Sequence, residues 1–180
     1  MVNGRAAAVA AAILLGAAPS LLSAATPPPE EYEVKAAFLY HFAHLVDWPA
    51  PGAPGEPFVI EVAGEDPFGA ALDRVLAGKS VRGQPVRVQR RAGEGARVHI
   101  LFVGGGGREH VRRTLAAVAG QPLLTVGESP RFAEGGGMIG FRVTPDGRVA
   151  FDINHQRAEQ SGLRMRSPLL KLARIVTSER

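Results

Sequence analysis

Two histidines and an aspartate at helical spacing are the first residues that could do chemistry. His41, His44 and Asp47 follow one another at intervals of three residues, which on a helix would place three metal ligands along one face. The same spacing arises readily among polar residues between core positions, and no second group of ligands accompanies it in the sequence. We favour this simpler interpretation and predict no metal site.

A second set of residue types matches those of a hydrolase. Asp152, His155 and Ser161 lie close together near the C-terminus. No G-x-S-x-G sequence surrounds a serine, although the nucleophile turn of the α/β-hydrolases has that form. The chain contains no Cys, which excludes thiol catalysis, cysteine-bound zinc and disulfide bonds. We therefore predict no catalytic residue and interpret the protein as a non-enzyme.

Two runs of glycine could bring a ligand close to bare backbone. Residues 104–107 are four glycines between an expected strand and an expected helix, where backbone N–H groups can bind phosphate. They match neither G-x-G-x-x-G nor a P-loop with its Lys, so a flexible loop is the favoured interpretation and no cofactor is predicted. Residues 135–137 are three more, which either admit a ligand or partner or form a turn with positive φ. The sequence leaves these two alternatives open.

Length, composition and charge restrict the class of protein. The chain has 180 residues, 46% hydrophobic and 21% charged, which fits one ordinary folded domain and excludes wholesale disorder. The body of the sequence has no 18-residue apolar run, which argues against a protein with several membrane spans. The formal charge is +4, but the cations are spread along the chain, so nucleic-acid binding is not predicted.

The N-terminus has the pattern of a secretory signal. Arg5 precedes the apolar stretch 6–18, and small residues lie before Thr26. We predict a signal peptide at 1–25, with an uncleaved membrane anchor as the alternative. Residues 26–32 contain three prolines and are expected to form an extended lead-in. A single domain should then span 33–176. We interpret its compartment as the periplasm of a prokaryote, while the signal alone is also compatible with eukaryotic secretion.

Apolar periodicity and turn residues predict alternating helices and strands. We expect helices at 33–47, 67–77, 108–119 and 169–175, and strands at 58–62, 86–89, 98–103, 123–126, 138–143 and 148–153. Asp146-Gly147 is a hairpin signal between the last two strands. This order predicts an α/β fold with a mostly parallel central sheet flanked by helices, in Rossmann-like layering, and a C-terminal antiparallel hairpin at one edge.

Four blocks of sequence, in order along the chain, resemble the YfiR-like family of small exported bacterial proteins. The blocks are 34–42 (VKAAFLYHF) with 46–49 (VDWP), 64–69 (GEDPFG), 124–127 (LTVG) with 132–141 (FAEGGGMIGF), and 151–154 (FDIN) with Gly162-Leu163, Ser167 and 169–173 (LLKLA). Together they extend over nearly the whole expected mature chain.

The resemblance implies a periplasmic regulator that represses a membrane diguanylate cyclase by binding its periplasmic region. It also implies a homodimer, and an outer-membrane lipoprotein that can sequester the repressor. Better-known members carry cysteines that form disulfides, whereas this chain has no Cys. Redox control by that route therefore does not carry over to this protein.

A partner surface is expected along the first helix and the loop to Pro57, where apolar residues and prolines offer a patch of low conformational entropy. The residues predicted to contact the partner are Phe38, Phe42, Trp48, Pro49 and Met138. The alternative is a periplasmic small-molecule-binding protein, with its ligand at the carboxyl ends of the strands, as in other open α/β sheets. The two functions are compatible, since a ligand can bias partner binding.

Overall fold

The computed structural model of the chain describes residues 29–49, 55–90 and 97–178. The predicted signal peptide at 1–25 lies outside the described residues, as do residues 50–54 of the expected partner surface. Among the described helices, none is long and apolar enough to span a membrane.

Ten strands and five helices make up the described fold. In chain order they are α1 (Pro29–Leu45), β1 (Val46–Asp47), β2 (Phe58–Ala63), α2 (Ala70–Leu76), β3 (Ser80–Val81), β4 (Gln84–Gln89), β5 (Val98–Val103), α3 (Gly107–Ala117), β6 (Leu124–Gly127), β7 (Ile139–Val143), β8 (Val149–Ile153), α4 (His155–Gln160), β9 (Arg164–Met165), α5 (Ser167–Lys171) and β10 (Arg174–Ile175).

Eight of these strands form one sheet in the order β10-β8-β7-β6-β5-β2-β4-β3. The pairs from β4 through β2, β5 and β6 to β7 are all parallel, and so is β10 with β8. The pairs β7–β8 and β3–β4 are antiparallel. Strands β1 and β9 form a separate two-stranded ribbon that ties the end of α1 to the C-terminal region. The predicted α/β architecture with a mostly parallel sheet is confirmed.

The two faces of the sheet have separate apolar cores. Along β2, Phe58, Ile60 and Val62 pack in the larger core with residues of α1 and α2. On the opposite face, residues of β5 pack against Val111 and Leu115 of α3. Strand β5 contributes to both cores, which explains why its sequence is an almost continuous apolar run.

Both ends of the domain differ from the sequence prediction. Helix α1 begins at Pro29, so residues 29–32 of the expected extended lead-in are helical. Proline is favoured in the first helical turn, and Glu30 and Glu31 lie there, where the helix dipole favours negative charge. The expected last helix, 169–175, instead ends at Lys171, because Arg174 pairs with Asp152 in strand β10.

The C-terminal hairpin is present, but its position was predicted wrongly. Strands β7 and β8 pair antiparallel from Ile139–Ile153 to Val143–Val149. They do not form the edge of the sheet, because β10 pairs with β8 on the outer side. The helix expected at 67–77 is also shorter, since the Asp66 carboxylate accepts from the Phe68 N–H in a turn before α2 begins at Ala70.

Candidate functional site

The carboxylate of the suggested metal motif is engaged by two arginines. Asp47 accepts hydrogen bonds from Arg82 and, at 2.8 Å, from Arg166. His44 packs edge-on against Tyr40 with ring centroids 4.6 Å apart, while His41 is exposed. Hydrogen bonding from Arg166 and then from Arg82 lowers the pKa of Asp47, opposed only by burial. Asp47 thus has a structural role at the β1–β9 ribbon, while the two histidines contact Tyr40 of their own helix.

The suggested hydrolase set is also divided among other contacts. The Asp152 carboxylate accepts hydrogen bonds from Arg142 at 3.0 Å and from Arg174 at 2.9 Å. The ring of His155 lies 3.8 Å from the Glu159 carboxylate, and Ser161 is buried at the end of α4. Asp152 therefore fastens β7 and β10 to β8, and its charge is already matched by two guanidinium groups.

Close packing or a positive φ accounts for each of the glycines at 104–107. A Cβ on Gly104 would overlap the carbonyl oxygen of Glu65, and one on Gly105 would overlap the Glu65 side chain. Gly106 and Gly107 have φ values of +96° and +76°, which side chains disfavour. The chain itself therefore fills the crevice between the carboxyl ends of β2 and β5.

The second glycine run is explained by an aromatic side chain of the same loop. The buried ring of Phe132 lies where a Cβ on Gly137 would be, and it also lies 2.5 Å from the position of a Cβ on Gly127. Gly136 has a φ of +103°. Of the two alternatives left open by the sequence, the turn is thus present, and the close approach is made by Phe132 of the chain itself.

The five predicted partner residues lie at different depths. Phe42 and Met138 are buried in the larger core, which means that their side chains do not reach the surface. Phe42 is buried because α1 turns it toward Phe141 and Phe151, with ring centroids 5.8 Å and 5.1 Å away. Met138 is buried where the chain enters β7.

The other three reach the surface at least in part. Phe38 is half-buried against Phe151, and Trp48 is half-buried against Phe58 with ring centroids 5.2 Å apart. Pro49 is exposed. A partner that approached this side of the molecule would therefore meet Pro49 and the outer parts of Phe38 and Trp48.

An exposed apolar surface near the C-terminus was missed by sequence reasoning. The side chains of Leu172 and Ile175 are 68% and 52% exposed, and we name these two residues the C-terminal apolar patch. Both residues belong to the segment 169–175 that was expected to be one helix. Only Leu169 is buried, because α5 ends at Lys171 and the chain then turns into β10.

Three buried ring nitrogens, on Trp48, His99 and His110, lack a hydrogen-bond partner among the described residues. His99 Nδ1 accepts from the Val59 N–H at 3.2 Å, but its Nε2 has no partner, and neither has Trp48 Nε1. The rings of Trp48 and His99 both contact Phe58, and their own centroids are 6.2 Å apart, so the three rings form one cluster. Burial, assisted by the positive charge of Arg97, lowers the pKa of His99 to about 4. His99 is thus neutral at neutral pH.

A buried cation joins α1 to the carboxyl end of β6. Lys35 Nζ lies 2.5 Å from Glu31 and 2.6 Å from Glu128. Burial alone would lower the pKa of Lys35, but hydrogen bonds to Glu128 and Glu31 outweigh it, and the pKa is raised. Lys35 therefore remains charged and holds the first turns of α1 against the sheet.

A cavity of about 540 Å³ opens at the carboxyl ends of β5 and β6. It lies between the first turns of α3 and the loop at 129–135, and it includes Arg108, Arg112, Arg131 and Phe132 in its lining. We name it the arginine cavity. Its position at the carboxyl edge of a parallel sheet is the one expected for a ligand in an open α/β fold.

Comparison with known proteins identifies the family of the chain. No curated protein is similar enough in sequence to be matched. The YfiR/HmsC-like family matches residues 32–174, which include every described helix and strand from α2 to β9 and most of α1. The match extends over far more than half of the chain, and it agrees with the motifs and the α/β fold. The chain therefore belongs to the YfiR/HmsC-like family.

Proposed function

We propose that the protein is a non-catalytic periplasmic regulator. It binds the periplasmic region of a membrane diguanylate cyclase and thereby limits the synthesis of cyclic-di-GMP. The observation that carries this proposal is the family match over residues 32–174, since the resemblance implies regulators of this kind. Export by a signal peptide at 1–25 forms part of the same proposal.

The contacts of the polar residues support the non-catalytic part of the proposal. A general base or a nucleophile needs a partner arrangement that leaves its reacting atom accessible. Asp152 is instead bound by Arg142 and Arg174, and Asp47 by Arg82 and Arg166. Both carboxylates hold elements of the fold together, and neither lies in the arginine cavity.

The contact surface we propose combines the C-terminal apolar patch with Pro49 and the exposed parts of Phe38 and Trp48. Large apolar side chains contribute about 1.5–3 kcal/mol each when they pass from water into an interface. Leu172 and Ile175 are the most exposed large apolar residues described, so a partner that covers them gains the most. The proposal also includes a homodimer of this protein and its sequestration by an outer-membrane lipoprotein.

The proposal is tested by deleting the gene in its own host and measuring cyclic-di-GMP. Deletion should raise cyclic-di-GMP, and the wild-type gene should restore the original level. A Leu172→Arg, Ile175→Arg double variant should fail to restore it, because two charges would be placed in the interface. Val143→Arg is the matched control, because Val143 is 49% exposed at the far end of β7, and it should restore the level fully.

Unchanged cyclic-di-GMP after deletion, with no cyclase recovered by cross-linking in the periplasm, would overturn the proposed function. Full restoration by the double variant would overturn only the proposed contact surface. Circular dichroism and the abundance of each variant in the periplasm show whether a failure to restore comes from loss of the folded protein.

A further inference from the structure

We propose that the arginine cavity is a binding site for a small organic anion, with a carboxylate or phosphate group and an apolar or aromatic body. This binding is a property of the isolated protein and does not depend on the proposed regulation of a cyclase. The position of the cavity, the rigidity of its walls and the charges at its rim support it.

The arginine cavity lies at the carboxyl edge of the sheet, in space that the chain itself does not fill. Ligands of open α/β sheets bind where the strand order reverses, which here is between β2 and β5. That crevice is filled by Glu65, which packs onto Gly104 and Gly105. The neighbouring space between α3 and the loop at 129–135 remains open, with about 540 Å³, and pockets for small molecules have about 300–1,000 Å³.

The walls of the cavity are held in place without a ligand. The Phe132 ring is enclosed by Gly127 and Gly137. Backbone hydrogen bonds from Phe132 to Ser129 and from Gly135 to Arg131, of 3.0 Å and 2.8 Å, fix the loop. A site that is already formed loses little conformational entropy when a ligand enters.

The rim carries an excess of positive charge. Arg112 donates to Glu109 at 2.9 Å, and Arg131 donates to Glu134, also at 2.9 Å. Arg108 lines the same cavity and makes neither a hydrogen bond nor an ion pair with the described residues. The lining thus contains three arginines and no acidic residue. Guanidinium groups bind carboxylate and phosphate through two parallel hydrogen bonds.

The apolar part of the lining indicates what the ligand carries besides its anionic group. Val111 and Phe132 are apolar and line the cavity behind the charged rim. A bare inorganic ion would leave this surface in contact with water, whereas an apolar body would cover it and gain about 25 cal/mol per Å² of apolar area buried. The combination therefore favours an organic anion over an uncharged apolar molecule or a free ion.

The test uses the mature protein and three probes that share a phenyl ring: phenyl phosphate, benzoate and benzyl alcohol. Binding is measured by isothermal titration calorimetry at low ionic strength. We expect at least one of the two anions to bind with a dissociation constant below about 1 mM, and benzyl alcohol to bind at least about tenfold more weakly. The preference between phenyl phosphate and benzoate identifies the anionic group.

Two variants test the place of binding, and a third is the control. Arg108→Glu reverses the unmatched charge, and Ser129→Trp fills the cavity without changing the charge. Each should weaken binding of the anion by at least about tenfold. Arg87→Glu changes an exposed arginine on β4 that has no ion pair with the described residues, and it should alter binding by less than about twofold. The melting temperature of each variant shows that it is folded.

Three results would overturn the site. The first is that neither anion binds at concentrations up to about 10 mM. The second is that benzyl alcohol binds as tightly as the anions. The third is that Arg87→Glu weakens binding as much as Arg108→Glu, which would assign the effect to the overall surface charge.

Discussion

Phe132 and the glycines around it form the tightest packing in the loop that borders the arginine cavity. We predict that Gly137→Ala lowers the free energy of unfolding by about 1–3 kcal/mol, the usual cost of adding a methyl group to a filled space. The reason is that a Cβ on Gly137 would overlap the Phe132 ring. Urea denaturation followed by circular dichroism measures the change.

The control for this prediction replaces the Phe132 ring, with which the added methyl group would overlap. In a Phe132→Leu background, Gly137→Ala should be less destabilising, because the smaller side chain leaves room for the methyl group. Gly135→Ala should have a smaller effect than Gly137→Ala, since its Cβ would meet two carbonyl oxygens at 3.3 Å and 3.6 Å and no ring. Equal effects of Gly137→Ala in both backgrounds would contradict the proposed overlap.

His99 should make the stability of the protein fall in acid. Its pKa is lowered to about 4, chiefly by burial, from an ordinary value of 6.5. Between these values the unfolded chain binds a proton that the folded chain does not bind. Stability is therefore complete above pH 6.5 and is lost as the pH falls toward 4, by about 3 kcal/mol at pH 4. Urea denaturation at several pH values measures this slope.

Two comparisons isolate the contribution of His99. His99→Asn should flatten the slope between pH 6.5 and 4, whereas His41→Asn, a change at an exposed histidine, should keep it. An NMR titration of the wild-type protein gives the pKa of His99 even if the variant does not fold. A measured pKa near 6.5 would show that His99 is hydrated and that this prediction is wrong.

At the scale of elements, the C-terminal segment contains a buried leucine and an exposed one three residues apart. Leu169 is buried, and Leu172 is 68% exposed. We predict that Leu169→Ala lowers the free energy of unfolding by about 2–5 kcal/mol, as for other buried leucines. Leu172→Ala should change it by less than about 0.5 kcal/mol. Urea denaturation of dilute protein measures both.

A large effect of Leu172→Ala in dilute protein would contradict the exposed position of this residue. If the effect appears only at high protein concentration, Leu172 is covered by a second copy of the chain. The same pair of variants thus distinguishes a residue of the core from a residue of an interface.

Long elements could be predicted from the sequence, and very short ones could not. Strand β5 was predicted with its observed bounds, Val98–Val103, because six apolar-rich residues between loops leave few alternatives. Strands β9 and β10 have two residues each and thus no periodicity. They form because Asp47 binds Arg166 and Asp152 binds Arg174 across more than twenty residues, and a local pattern does not contain such information.

The candidate sites could be predicted from the sequence less well than the long elements, because they too depend on contacts between residues that are distant in the chain. The apolar spacing of α1 indicates a buried stripe but does not separate buried Phe42 from half-buried Phe38. The arginine cavity depends on Arg108 of α3 and Arg131 of the loop after β6, which lie at one cavity only because β5 and β6 are neighbours. The glycine runs did identify the two loops that border it, although their glycines serve the packing of Glu65 and Phe132.

At the scale of the whole molecule, stability rests on the two cores on either face of the sheet. The sequence contains no Cys, so folding does not require an oxidising compartment. The resemblance implies disulfides in better-known relatives, which this chain cannot form because it has no Cys. We therefore expect the domain to fold equally well in the reducing cytoplasm and in the periplasm.

Because folding needs no disulfide, the same protein can be compared in the cytoplasm and in the periplasm to find where it acts. A copy that lacks residues 1–25 should fold in the cytoplasm and, once purified, have the melting temperature of the exported protein within about 2 °C, a difference of less than about 1 kcal/mol. In the deletion strain it should nevertheless leave cyclic-di-GMP high, because under the proposed function its target, the periplasmic region of the cyclase, lies on the other side of the membrane. The exported copy, at equal abundance, should lower cyclic-di-GMP. If the copy without the signal lowers cyclic-di-GMP as effectively, the protein acts in the cytoplasm and the proposed periplasmic contact is wrong.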